Sequence, residues 1–273
     1  MKTILVPTDF SDAANNAAKY AVDFAKETNA NVLLFHSYHV PMPNTEVPVI
    51  IVTPDELQKE NEVRLKKEAD SLMEKTGVEV NYLAKMGLAV DEILNEEENA
   101  SLIVMGMKGA SKLSEALMGS ITTATIREAK TPVLVIPEGA KYKNPDKIVF
   151  ACDYNPKTDT KAIDSLKEFV RPFRSKIYVL NIKSKQESAS IEEAVVGIDL
   201  ENKLSSIEHI YYFPEKDDLV EGINDFVKEH NADMVVIIPH RYNLIEGLFH
   251  TSVSKKMAFH TQVPMLALHD NGK

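Results

Sequence analysis

The sequence predicts an α/β protein made of two tandem Rossmann-like domains, each a five-stranded parallel sheet with helices on both faces. Three observations carry this: short apolar strands alternate with helices, a glycine-punctuated strand–loop–helix–strand runs from Leu102 to Pro137, and the second half repeats the first. The 273 residues, 44% hydrophobic and 26% charged, suffice for two domains of common size.

In chain order, Ile4–Val6 is a short apolar strand ending at Pro7-Thr8-Asp9. Ser11 is suited to cap the next helix, where Ala14, Ala17, Ala18, Ala21, Val22 and Ala25 share one face. Asn31–His36 is the second strand, and a long loop with three prolines spans His39–Val52. Thr53-Pro54-Asp55-Glu56 has the form of a capping box and starts a charged helix that Gly77 stops.

Val78–Lys85 alternates as a third strand, Gly87 turns the chain, and a helix from about Val90 to Asn99 leads into the strand Leu102–Met105. Within it, Glu96-Glu97-Glu98 reads as the solvated face of a helix end. Short strands in this βα order need helical crossovers, hence a parallel sheet covered on both faces.

The Leu102–Pro137 stretch organises the chain. Gly106 and Gly109 follow a strand, so no Cβ keeps an anion from their N–H groups, and Lys108 between them supplies positive charge. Gly119-Ser120 opens a helix whose N-terminus favours a phosphate. The spacing G-x2-G-x9-G-S is neither the Walker A pattern nor the dinucleotide fingerprint. Asp9, Ser37 and the glycine loop all fall at the carboxyl edge, where doubly wound sheets bind ligands.

Composition narrows the partners. A net charge of -10, few aromatics and no tryptophan argue against nucleic-acid binding. No run approaches the ~20 apolar residues of a membrane span, and the N-terminus shows no signal-peptide pattern, so a cytoplasmic protein is expected. The single cysteine, Cys152, reads as a small residue at a strand end, not a catalytic thiol.

Residues Pro137–Asp146 form a linker, after which Lys147–Asp153 echoes Lys2–Asp9. Val235-Val236-Ile237 and Val263–Leu268 repeat Ile103-Val104-Met105 and Thr131–Ile136 at one offset, 132 residues. At that offset Gly106, Gly109 and Gly119 become Ile238, Arg241 and Thr251, and Pro239 removes an N–H donor, while Ser252 keeps the place of Ser120. The second copy is therefore expected not to hold a nucleotide in the same way. Its His240, His250 and His260, spaced by ten, match no compact metal pattern, although His240 with Arg241 leaves a different anion open.

The glycine motif, with Ile4–Asp9 and Thr131–Pro137, resembles the universal stress protein family in its nucleotide-binding branch. The resemblance implies tandem HUP-type (adenine nucleotide alpha hydrolase-like) domains: residues 1–139 with the nucleotide motif and 145–273 with a degenerate one. It implies that Pro7, Thr8, Asp9, Ser37 and Met105 surround the base and ribose of ATP, and that Gly106, Lys108, Gly109, Gly119, Ser120 and Ile121 hold its phosphates. Ser37 replaces an apolar residue common there. Mg2+ would ride mainly on the phosphates.

The function implied is a stress-response regulator binding ATP with little or no turnover, since no acidic residue besides Asp9 is placed to orient a water. A slow ATP hydrolase or other ATP-using enzyme, and a ligand-free scaffold, are the alternatives. The closing strands, Thr131–Pro137 and Val263–His269, are expected to pair the halves as an internal pseudo-dimer, with association of two chains left open.

Overall fold

The computed structural model describes residues 3–39, 53–108, 118–152, 160–182, 191–239 and 262–269. The first half contains β1 (Thr3–Pro7), α1 (Asp12–Thr28), β2 (Asn31–Tyr38), α2 (Pro54–Thr76), β3 (Val80–Met86), α3 (Ala89–Glu96), a 3-10 turn (Glu97–Asn99), β4 (Leu102–Gly106), α4 (Ser120–Glu128) and β5 (Val133–Ile136). The second contains β6 (Lys147–Ala151), α5 (Thr160–Val170), β7 (Lys176–Leu180), α6 (Ile191–Leu204), β8 (His209–Tyr212), α7 (Leu219–His230), β9 (Met234–Ile237) and β10 (Met265–Ala267).

The capping signals act as read. The Ser11 hydroxyl accepts the Ala14 N–H, Thr53 and Glu56 close a reciprocal capping box, and Gly77 ends α2 in a left-handed conformation. β2 runs two residues beyond the predicted end, so Ser37 lies inside the strand.

Strand pairing is parallel within each half, in the orders β3-β2-β1-β4-β5 and β8-β7-β6-β9-β10. Antiparallel pairing of β5 with β10 joins them into one ten-stranded sheet. Leu134 faces Leu266, its own counterpart at the 132-residue offset, so an approximate two-fold axis passes through that pair.

Strand alternation divides the core into two layers. Ile4 and Val6 face α1 and α2, whereas Leu5 faces the side carrying α3 and α4. In the second half Ile148 and Phe150 pack with α5 and α6, and Val149 and Ala151 with α7. Across the seam Phe24 of α1 stacks on Phe169 of α5 with ring centroids 5.5 Å apart.

The glutamate run departs from its expectation. Glu96 and Glu97 are buried. Glu97 accepts the N–H groups of Lys130 and Thr131 at 2.8 and 3.0 Å, and Glu96 pairs with Lys85. A buried carboxylate is tolerated here because backbone donors and a cation replace the lost water.

Candidate functional site

The first half reverses its strand order between β1 and β4, and a cavity of about 240 Å3 opens at their carboxyl ends. That is somewhat below the ~300 Å3 at which small-molecule pockets usually start. Residues 109–117, which follow Lys108, lie outside the described residues.

Pro7, Thr8 and Asp9 after β1, Ser37 in β2, Met105 and Gly106 closing β4, Lys108, and Gly119, Ser120 and Ile121 at the start of α4 all line the cavity. Ten of the eleven predicted residues thus share one crevice; the eleventh, Gly109, lies outside the described residues. Ala14, Phe35, His36, Ala89, Ile93 and Thr122 also line it and were not anticipated. Ala14 carried a usable signal: it lies in the first turn of α1, the helix that follows Asp9.

The turn after β1 is heavily bonded. Thr8 donates its N–H to the Phe35 carbonyl at 2.8 Å, and its own carbonyl accepts Nδ1–H of His36 at 2.7 Å. The Thr8 hydroxyl accepts the Phe10 N–H and Asp9 Oδ1 accepts the Ser11 N–H, both at 3.0 Å. Burial lowers the His36 pKa from its ordinary value; the Thr8 carbonyl works against this and the Arg64 charge adds to it.

At the other end, α4 is seated on β4. Gly119 N–H donates to the Met107 carbonyl at 2.8 Å and the Thr122 hydroxyl to the Gly106 carbonyl at 3.0 Å. Gly119 is the N-cap and has no side chain to cap with, so the first-turn N–H groups from Ser120 onward have no capping oxygen from that residue. Uncapped donors at a positive dipole end, beside Lys108, suit an anion.

Gly106 lines the cavity and also sits against the start of α1. A Cβ there would stand 2.8 Å from the Ala13 carbonyl oxygen and 2.9 Å from its carbon. The missing side chain lets α1 approach β4.

In the second half, Ile238 takes the place of Gly106 and is buried, and Pro239 follows it. Arg241, Thr251, Ser252, Asp153, His240, His250 and His260 lie outside the described residues. One feature of the first site persists: Asn181, after β7, donates Nδ2–H to the Cys152 carbonyl at 2.9 Å, as His36 does to Thr8. Cys152 is half-buried at the end of β6, and its N–H donates to the Leu180 carbonyl.

The model of the universal stress protein family matches residues 1–137 and again 145–269. This chain belongs to the universal stress protein family. Among relatives, it is 34% identical to the universal stress protein MJ0531 of Methanocaldococcus jannaschii over 143 residues, 51% of this chain and 84% of the relative. It is 29% identical to MJ0577 of the same organism over 152 residues, 50% of this chain and 94% of the relative. A solved universal stress protein from Archaeoglobus fulgidus superposes with a TM-score of 0.72 at 20% identity, over 98% of this chain and 96% of that one, which shows the shared fold.

Proposed function

We propose that this universal stress protein is a stress-response regulator that binds ATP in the crevice of its first half, with little or no turnover. The observation that carries the reading is the convergence of two residue groups on one crevice at the strand-order reversal: Pro7, Thr8, Asp9, Ser37 and Met105, and Gly106, Lys108, Gly119, Ser120 and Ile121.

The first group, with Ala14, Phe35, Ala89 and Ile93, gives an apolar slot edged by a carboxylate and a hydroxyl, suited to a base and ribose. The second joins a cation, a hydroxyl and uncapped helix N–H groups, suited to phosphates. Mg2+ in this reading is carried mainly by the phosphates themselves.

The reading of low turnover is supported by the lining, in which Asp9 is the only acidic side chain among the described residues. Hydrolysis needs a group that orients an in-line water. Asp9 sits on the nucleoside side in this reading, and its Oδ1 already accepts the Ser11 N–H. The second half acts as a partner domain without the bare-backbone cradle, Ile238 standing where Gly106 would be.

Mass spectrometry of small molecules released from the purified chain, followed by incubation with ATP and Mg2+, tests the reading. Release of an adenine nucleotide, or saturable uptake without appreciable phosphate production, supports it. Turnover at ~1 s⁻¹ or faster favours an enzyme. Failure to bind any nucleotide favours a scaffold.

A further inference from the structure

Phe10 is the residue that the site description leaves unexplained. Its φ of 62° lies in the left-handed region, which bulky side chains avoid. It does not line the cavity, yet it holds the turn that does. Its N–H donates to the Thr8 hydroxyl at 3.0 Å, and its carbonyl accepts Nδ2–H of Asn15 at 3.5 Å. The next N–H, from Ser11, fixes one oxygen of Asp9.

The Phe10 side chain is clamped between two groups of opposite origin. On one side the His36 ring of β2 lies 4.6 Å away, centroid to centroid, tilted by 49°. On another the guanidinium carbon of Arg64, from the exposed surface of α2, stands 3.8 Å from the ring centroid. His36 returns to the same turn through its bond to the Thr8 carbonyl. Arg64, Phe10 and His36 thus form a column from the surface of α2 to the Thr8–Asp9 turn.

We infer that Arg64 is a positioning residue for the nucleotide crevice, acting through Phe10 to hold the Thr8 and Asp9 side chains toward the ligand. This inference rests on the nucleotide reading above and assigns to α2, remote from the crevice lining, a share of its affinity. The planar guanidinium matters as much as its charge, because a flat cation matches the ring face and an ammonium does not.

The test uses the full chain with Phe10→Leu, Phe10→Tyr, Arg64→Lys and the double variant Phe10→Leu/Arg64→Lys. Nuclear magnetic resonance of the His36 ring protons and the Thr8 and Asp9 amides is read without nucleotide, and ATP affinity by calorimetry. Phe10→Leu and Arg64→Lys are expected to shift the same signals in the same direction and to weaken ATP about fivefold each. Phe10→Tyr retains wild-type behaviour, and the double variant binds no more weakly than Phe10→Leu alone. Wild-type signals and affinity in Arg64→Lys, or additive losses in the double variant, overturn the inference. Should the wild type bind no ATP, the nucleotide reading falls, and the signals alone decide whether Arg64 holds the turn: unshifted signals in Arg64→Lys overturn it, shifted ones sustain it.

Discussion

His269 of the second half donates Nε2–H to the carbonyl of Ile126 in the first half at 2.6 Å. That carbonyl belongs to the last turn of α4, where the helix has no partner of its own to offer. The imidazole therefore caps a helix across the seam. Its Nδ1 is buried and, among the described residues, has no partner at hydrogen-bond geometry, the Thr131 backbone acting on the ring only from longer range, which fits a neutral ring protonated at Nε2.

Replacing His269 with Leu leaves the Ile126 carbonyl unpaired and is expected to cost about 1–3 kcal/mol in denaturant unfolding. Burial is the main reason the His269 pKa lies below its ordinary value, outweighing the carbonyls and Glu97 that favour the charged ring. With the folded pKa depressed, the unfolded chain binds the proton more readily, so this contribution is present above about pH 6.5 and is lost as pH falls through the folded pKa. Unfolding midpoints measured from pH 7.5 to 5, ordinary buffer settings chosen to bracket that ~6.5 value, are expected to fall less steeply in His269→Gln than in wild type. His36 is depressed in the same direction and leaves a residual slope.

The Phe24–Phe169 stack ties the first helices of the two halves, and both rings are almost fully buried. Phe169→Ala is expected to cost about 3–5 kcal/mol, the usual range for a core aromatic. Because the ring lies on the seam, protease nicking within the 137–146 linker should also accelerate. Unchanged denaturation and unchanged cleavage would refute the role given to the stack.

Glu97 is expected to be the acidic residue of its run least tolerant of change. Glu97→Ala strands the N–H groups of Lys130 and Thr131, costing about 2–3 kcal/mol in chemical denaturation. Glu98→Ala, at an exposed position of the same run, should stay within ~0.5 kcal/mol.

Gly106→Ala places a methyl group against the backbone of Ala13, which has no flexible side chain to move aside. A stability loss of about 1–3 kcal/mol is expected, with α1 displaced from β4. Amide shifts of residues 12–16 distinguish this from a purely local effect at the crevice.

Much of this fold was legible because its signals are local or periodic. The Thr53–Glu56 capping box, the alternation of Ile4, Leu5 and Val6, and the apolar strands around Gly106 each specify their element within a few residues. The carboxyl-edge placement of Asp9 and the glycine loop likewise followed from topology alone. Burial of Glu96 and Glu97 did not, since their partners Lys85, Lys130 and Thr131 arrive from other elements. The approach of α1 to Gly106 was hidden for a related reason: a glycine after a strand signals close approach, but the sequence does not say that a helix is among what approaches. His36 and Phe10 were equally hidden, their roles being defined by Thr8 and Arg64 across the fold.

The central claim concerns ATP at the start of α4, and calorimetric titration of ATP into the wild type and Gly119→Val tests it most directly. The wild type should bind saturably, and Gly119→Val, with a branched side chain beside the helix N–H groups, should bind at least about tenfold more weakly while keeping its fold. Equal affinity in the two, or no binding by the wild type, would contradict the account.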